Sequence, residues 1–437
     1  MPRILLLLAV ITPLCSVFLV ARSLFPGFDL TKVAESFPIS WPLAVPADSE
    51  TRPYDESDQQ PLDVVDFSPP HDHSSDLHAS VAEPITVPGQ FTRRIVAVGD
   101  LHGDFPNAQT VLQMAGVVDH NGNWTGAVDF LVQTGDIIDR GDDTIKLFLW
   151  MERLRDEAHA AGGTVLSHLG NHEWMNVIGD WRYVYPSEIT TFGSVAARQK
   201  MLTTGRIGKS WASNYTTASR LPLHPAVGDP NTDYDPSTAS AFDVPTPLSH
   251  TAISFVHGGL APSYPDLAPF PSRINELSHS LLQKLQQRTP PPHPPNPYPG
   301  MPAEATEAER RLYDTDGPLW YRGWASGPEE QVCAQVDGVL QKTGTRRMIM
   351  GHTPDFQNIV SRCKGKIIII DTGISHAYGG TLSALSITYT LTPIPAIHTS
   401  PEEKWWTERE VLVAVYPDRQ EVLAVDERDI QGDFAPA

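Results

Sequence analysis

An α/β fold, with strands buried on both faces and polar residues at their carboxyl ends, is the architecture that this sequence predicts. Three observations carry it. Short β-branched and apolar runs recur from residue 94 onward, helical stretches lie between them, and the runs lead into clusters such as Gly-Asp, Gly-Asn, His-Gly or Gly-His. Continuous apolar runs mark strands buried on both faces, and the intervening helices supply crossovers. Open α/β sheets place their sites at strand carboxyl ends, where these clusters fall.

Along the chain, Ile4 to Ala21 is almost wholly apolar, interrupted by Thr12, Pro13 and Ser16 and flanked by Arg3 and Arg22. Its length falls between a signal-peptide core and a full span of about 20 residues. Residues 1–22 are therefore expected to be a signal peptide or an N-terminal membrane anchor, since a core helix would show a polar face. Residues 23–90 are rich in Pro, Asp and Ser without a period of 2 or 3.6, and read as a disordered linker. His71, Asp72, His73, Asp76 and His78 within it read as a solvated run, because no strand or helix fixes them as ligands.

The ordered pattern then begins. Ile95 to Val98 runs into Gly99-Asp100, Val128 to Val132 toward Gly135-Asp136, and Val165-Leu166 toward Gly170-Asn171. Ile253 to Val256 leads into His257-Gly258-Gly259, Arg347 to Met350 into Gly351-His352, and Ile367 to Ile370 into Asp371. Helical stretches cover Thr144 to Ala161, Ile274 to Gln287 and Glu329 to Lys342. These elements place one large domain over 91–391. Two insertions, 222–248 and the proline-rich 289–302, are expected to be exposed loops. Over 392–437, Val411 to Val415 and Val422 to Val425 flank Pro417-Asp418-Arg419-Gln420, which predicts a terminal hairpin completing the sheet, followed by a tail.

Composition excludes some functions. A hydrophobic content of 41% suits a globular core, while 40 prolines require irregular segments. A formal net charge of −20 argues against nucleic acid as a partner, because such partners are held by basic surfaces. Of three cysteines, only Cys333 and Cys363 lie in the body, so one disulfide and two reduced thiols both remain open. A thiol phosphatase mechanism needs an arginine six residues beyond the cysteine, yet Val339 and Ile369 stand there. Asp314-Thr315-Asp316-Gly317-Pro318 resembles an aspartate-nucleophile motif, but Pro318 breaks it, and it reads as a helix-ending turn.

The clusters themselves suit two-metal chemistry. Phosphoester hydrolysis needs a strong nucleophile and charge neutralisation on the phosphoryl oxygens, which a pair of metals supplies when imidazole, carboxylate and amide ligands converge and one carboxylate bridges. Asp100 and His102 come from one turn, Asp136 offers the bridging carboxylate, and Asn171, His172, His257 and His352 add an amide and imidazoles. Singly, a Gly-Asp pair is a turn and a lone histidine a satisfied side chain. Five clusters in order, each after an apolar run, carry more information than that.

GDxHG, GDxxDRG, GNHE, HGG and a late GH resemble the signature of calcineurin-like metallophosphoesterases, in their phosphoprotein phosphatase branch, over roughly 94–391. Pro318 to Gly323 and Asp371 to Ser375 are similar to the Shewanella-like phosphatases. The Ser-Ala-Pro-Asn-Tyr-Cys segment of toxin-sensitive enzymes is absent, and Thr353-Pro354 follows His352 where a second terminal imidazole is common. The resemblance implies a central mixed β-sandwich flanked by helices, with a dinuclear metal site at the strand ends. It implies one metal on Asp100, His102 and Asp136, and the other on Asp136, Asn171, His257 and His352. The metals would be two divalent ions, manganese first, then iron or zinc. A bridging hydroxide would attack phosphorus in line, Arg140, Arg322 and Asn171 would hold phosphate, and His172 oriented by Asp139 would protonate the leaving oxygen. The substrate expected is a phosphorylated protein or small phosphoester. The alternatives are a dinucleoside polyphosphate hydrolase and an inactive membrane-tethered adaptor. The N-terminal segment implies a secretory-pathway protein, anchored or, if cleaved, secreted, and the sequons at Asn123 and Asn214 are compatible with that.

Overall fold

The computed structural model describes residues 87–238, 246–289, 298–395 and 403–434. The expected leader or anchor over 1–22, nearly all of the expected linker including its histidines, and residues 290–297 of the proline-rich tract lie outside them. Among the described residues no helix is long and apolar enough to cross a membrane.

Two mixed sheets form. The first contains β1 (Phe91–Val98), β2 (Phe130–Gln133), β3 (Thr164–His168), β4 (Tyr215–Thr216), β10 (Ala384–Pro393), β11 (Trp405–Val415) and β12 (Gln420–Gln431). Its order is β12-β11-β10-β1-β2-β3-β4. The second has β5 (Ala218–Pro222), β6 (Ala252–Val256), β7 (Arg347–Met350), β8 (Val360–Arg362) and β9 (Ile367–Ile369), in the order β5-β6-β7-β9-β8. β1, β2, β3 and β4 run parallel, as do β6, β7 and β9, so the carboxyl ends within each set point one way.

Alternation along each strand builds the layers. Ile95, Ala97, Phe130 and Val132 pack with Ile253, Phe255, Ile349 and Ile368 in a core between the sheets. Their neighbours Val96, Val98, Leu131, Val256, Met348 and Met350 belong to a second core, shared with the helices. Those helices include α1 (Phe105–Met114), α2 (Thr144–Ala160), α3 (Asn171–Ile178), α4 (Pro186–Thr191), α5 (Val195–Thr203), α6 (Arg206–Asn214) and α7 (Ser272–Gln287). Three more follow: α8 (Glu307–Arg311), α9 (Gly323–Ser326) and α10 (Glu329–Thr343). This is why the strands read as unbroken apolar runs: both faces are covered.

Two expectations change. The 222–248 insertion is not simply an exposed loop, because Leu223, His224 and Leu248 at its ends are buried. Leu223 also takes a backbone bond from its own amide to the Thr251 carbonyl at 2.9 Å, which draws that end into the sheet region. Cys333 on α10 and Cys363 after β8 are joined in a disulfide, with Cα atoms 5.2 Å apart, which closes the question the count left open.

The terminal hairpin is fastened by charge. Glu408 and Glu410 on β11 are buried, and Arg346 reaches them at 2.6 and 3.2 Å while Arg347 Nε lies 3.0 Å from Glu410. Removing one member of a buried pair leaves the other charge uncompensated. Arg347→Met is therefore expected to destabilise the fold by about 3 kcal/mol, read from the urea midpoint. An unchanged midpoint would show that Arg346 alone satisfies Glu410.

Candidate dinuclear metal and phosphate site

Three loops at strand carboxyl ends are laced together by backbone bonds. The amides of Leu101 and His102 both donate to the Asp136 carbonyl at 2.9 Å, and Gly103 donates to Ile137 at 2.7 Å. Glu173 Oε2 accepts from the Gly170 amide at 2.7 Å and the Asp136 amide at 2.9 Å, and its Oε1 accepts from Ile137 at 2.8 Å. One buried carboxylate thus binds the β2 loop to the start of α3.

The backbone is strained where the site residues stand. His102, Asp136, Asp139, Arg140 and His352 all have φ between 45° and 70°. Left-handed geometry costs a non-glycine residue on the order of 1 kcal/mol or more, and persists where surrounding contacts over-determine it. Gly170 shows how tight the packing is. A Cβ there would lie 2.2 Å from Asp136 Oδ1 and 2.6 Å from the Asp136 amide. Gly170→Ala is expected to displace Asp136 and cut activity by roughly tenfold or more, by analogy with losses seen on small misplacement of reacting groups. Unaltered kcat in that variant would mean that Asp136 has room to move.

The donor atoms converge. His102 Nδ1 donates to the Ile138 carbonyl at 3.0 Å, and His257 Nδ1 to the Thr134 carbonyl at 2.9 Å. A carbonyl can only accept, so each Nδ1 carries the proton and each Nε2 presents a lone pair inward. His102 Nε2 lies 3.8 Å from Asp136 Oδ2 and 4.0 Å from Asp100 Oδ2, and His257 Nε2 lies 3.3 Å from Asp136 Oδ2. His257 Nε2 also faces Asn171 Oδ1 at 2.8 Å. His352 Nε2 is buried without a hydrogen-bond partner. Unless the imidazoles are doubly protonated, lone pairs face lone pairs, which is the arrangement a cation satisfies. Burial, with His172 beside it, pushes His102 down to about 3, and burial with His257 beside it holds His352 well below the usual histidine range. Neutral imidazole is the ligand form.

Two groups of side chains could each hold an ion: His102, Asp136 and His172, and Asp136, His257 and His352. Asp136 is common to both. Asp100 is buried at the edge of this cluster, its two oxygens taking the His352 amide at 3.2 and 3.3 Å. Burial, then the neighbouring carboxylates Asp371 and Asp136, drive its carboxyl well above the usual range. Crowded buried carboxylates of this kind are what a divalent cation relieves.

Beside the donors, His172 Nδ1 bonds Asp139 Oδ2 at 2.7 Å. Arg140 is stacked between the rings of Tyr183, at 4.2 Å, and Tyr378, at 4.8 Å, and makes no ion pair among the described residues. Arg322 is exposed and donates to the His352 carbonyl at 2.7 Å and to Thr353 Oγ1 at 3.2 Å. Its guanidinium therefore already has protein partners. Sequence reasoning missed Glu173 as a loop fastener, Tyr183 and Tyr378 as walls of Arg140, and the buried Arg198 and Glu188. Only Glu173 had a signal, its place in the Gly-Asn-His-Glu run.

Comparison with known proteins now decides the family. The profile of the calcineurin-like phosphoesterases matches residues 93–356. The chain is a calcineurin-like phosphoesterase. As such it is a hydrolase of phosphoester bonds, and family membership implies divalent metal ions. This phosphoesterase is 36% identical over 298 residues to an uncharacterized protein of Schizosaccharomyces pombe, covering 67% of this chain and 76% of that one. It is 28% identical to Shewanella-like protein phosphatase 2 of Arabidopsis thaliana, over 64% of this chain and 71% of the other. Shewanella-like protein phosphatase 1 of Plasmodium berghei is 25% identical, over 64% and 67%. Among solved structures, the cold-active protein-tyrosine phosphatase of a psychrophilic Shewanella species shares the fold, with a TM-score of 0.53 at 21% identity, over 76% of this chain and 80% of that one. The phosphoesterase is thus similar to Shewanella-like phosphatases, and the predicted mixed α/β sandwich is the fold it adopts.

Proposed function

We propose that the protein is a phosphoprotein phosphatase that hydrolyses phosphomonoesters. The observation carrying this is the meeting, in one place, of a buried acid pair, an arginine without an ion pair among the described residues and a convergent donor cluster. Asp100, His102, Asp136, Asn171, His257 and His352 would hold two divalent ions, Asp136 between them. Nitrogen and oxygen donors without thiolate suit manganese, iron or zinc. Bound ions of that kind supply charge neutralisation on the phosphoryl oxygens and lower the pKa of water toward neutrality.

The remaining roles fall to side chains. Arg140 offers a planar fork to two phosphoryl oxygens, held by Tyr183 and Tyr378 so that little freedom is lost on binding. Asn171 and Arg322 would assist it. His172 turns Nδ1 to Asp139, which leaves Nε2 for the leaving oxygen. Burial disfavours its charged form, while Asp136 and Asp139 oppose burial and lift its pKa above the usual value.

Tyrosine phosphate is favoured among phosphoproteins by the walls. Tyr378 has Phe356 at 6.0 Å, and Phe356 is 48% exposed, so an aryl group leaving from phosphorus meets aromatic rings. The structural neighbour bearing the name of a tyrosine phosphatase agrees with this reading. Tyr183→Leu is expected to raise KM about threefold to tenfold with kcat little changed, since a cation–π contact is worth about 0.5–2 kcal/mol. Equal loss in kcat would place Tyr183 in the chemical step instead.

The deciding assay sets the full-length chain against p-nitrophenyl phosphate, matched pSer, pThr and pTyr peptides, and diadenosine tetraphosphate, with Mn²⁺ or chelator. Metal-dependent turnover of pTyr peptide ahead of the others supports the proposal. Turnover of the dinucleotide alone would replace it. We further propose a secretory-pathway location, anchored or secreted, supported by the apolar 4–21 run and by the Cys333–Cys363 disulfide.

A further inference from the structure

Behind the acid pair lies a second set of charges that the mechanism has not used. Arg198 on α5 and Glu188 on α4 are fully buried, as is Asp139 of the acid pair that they adjoin. Asp139 Oδ2 is taken by His172, while its Oδ1 accepts from Asn176 Nδ2 at 2.9 Å and faces Arg198 Nη2 at 3.6 Å. Arg198 Nη1 donates to Asn176 Oδ1 at 2.7 Å, and Nη2 to Glu188 Oε2 at 3.1 Å. Thr144, at the start of α2, closes the row by donating to Glu188 Oε1 at 2.5 Å. Asn176 completes its bonding on the His172 carbonyl at 2.9 Å. The Arg198 guanidinium is boxed by Trp181 at 4.3 Å and Phe192 at 5.4 Å.

We propose that Arg198, seated by Glu188 and relayed through Asn176, is a positioning residue that holds Asp139 with Oδ2 turned to His172 and so aims the acid. The inference rests on the reading of His172 as proton donor given above. Three arguments support it. Burying an arginine and a glutamate costs desolvation free energy that an apolar pair of similar volume would avoid, so stability alone does not account for them. Asp139 has a left-handed backbone, φ 70°, which persists only where neighbours over-determine it. And both Asp139 oxygens are committed, which leaves its carboxylate one orientation. Burial pushes the Glu188 carboxyl up to about 7 against the opposing pull of Arg198, as expected for one guanidinium shared between two acids.

Leaving-group dependence tests this, because a misaimed acid harms a poor leaving group and spares a good one. Phenyl phosphate and p-nitrophenyl phosphate would be compared on full-length protein with Mn²⁺. The variants are Arg198→Met/Glu188→Gln, which removes both charges together, Asn176→Ala, which leaves them paired, and Arg198→Lys. In the first two, kcat on phenyl phosphate is expected to fall about tenfold or more, within the range ascribed to acid catalysis, with p-nitrophenyl phosphate within about threefold and both KM values within about twofold. Arg198→Lys should recover part of the phenyl phosphate rate. Equal losses on both substrates, or none in protein that melts cooperatively, would overturn the proposal, and Asn176→Ala decides if the double variant does not fold. His172→Ala runs beside them. If it too harms both substrates alike, the acid reading itself has failed. If it alone is selective, only the positioning role has.

Discussion

Asp136→Asn is expected to lower kcat/KM by about 10²–10³-fold, the scale on which loss of a single electrostatic element of a preorganised site is felt. The reason is placement. Asp136 Oδ2 lies within 4 Å of the Nε2 atoms of His102, His172 and His257, at 3.8, 3.9 and 3.3 Å. Its Oδ1 accepts the His172 amide at 2.9 Å. An asparagine keeps that last bond through its own oxygen, so the loops stay laced. What it removes is the negative charge common to both donor groups, and it can turn an N–H toward imidazole nitrogens that need a cation. The measurement is turnover under saturating Mn²⁺, with a melt in chelator to confirm an intact fold. More than about a tenth of wild-type kcat/KM remaining would mean that the two donor groups do not share Asp136 in catalysis.

His172→Ala is expected to lower kcat on phosphotyrosine peptide by about 10²–10⁴-fold, the usual contribution of a positioned acid. KM should move little, because the arginine and the donor cluster remain. His172 is 4% exposed, and its ring packs against His102 at 4.7 Å and Tyr183 at 5.0 Å, so truncation leaves a small polar space that water can enter. A loss confined to KM would move His172 from proton transfer to binding. Loss of metal content, measured by elemental analysis, would instead make it a ligand, as its grouping with His102 and Asp136 allows.

Much of the framework was legible because the same residues satisfy two demands at once. Ile95 to Val98 is apolar since both faces of β1 are covered, and Gly99-Asp100 follows since the chain must turn there and bring a carboxylate to the cluster. Period and punctuation therefore coincide, and the eye finds both. Arg198 offers no such coincidence. It sits in Val-Ala-Ala-Arg-Gln-Lys-Met-Leu-Thr, where an arginine beside a glutamine and a lysine reads as solvated, and its burial is set by Trp181 and Phe192 from other segments. The same holds for Tyr378, which meets Arg140 across a separation of more than two hundred residues and belongs to no local pattern. The buried ends of the 222–248 insertion were hidden for another reason: proline and aspartate dominate its composition, while a few residues, Leu223, His224 and Leu248 among them, carry the packing. Arg322 shows the opposite limit, since a short aromatic motif located it beside the site without revealing that its Nη1 already donates to the His352 carbonyl.

The two sheets divide the candidate ligands between them. Asp100, His102, Asp136 and Asn171 follow strands of the first, and His257 and His352 follow strands of the second. During synthesis the early half of the chain would already bring His102, Asp136 and His172 together, whereas the group that needs His257 and His352 would wait until residue 352 and the strand before it are in place. Filling of that second group would then be a late event in the life of each molecule. An ion spanning Asp136, His257 and His352 would join one sheet to the other like a rivet through two plates, so the cell's metal supply would set how many finished molecules stay shut.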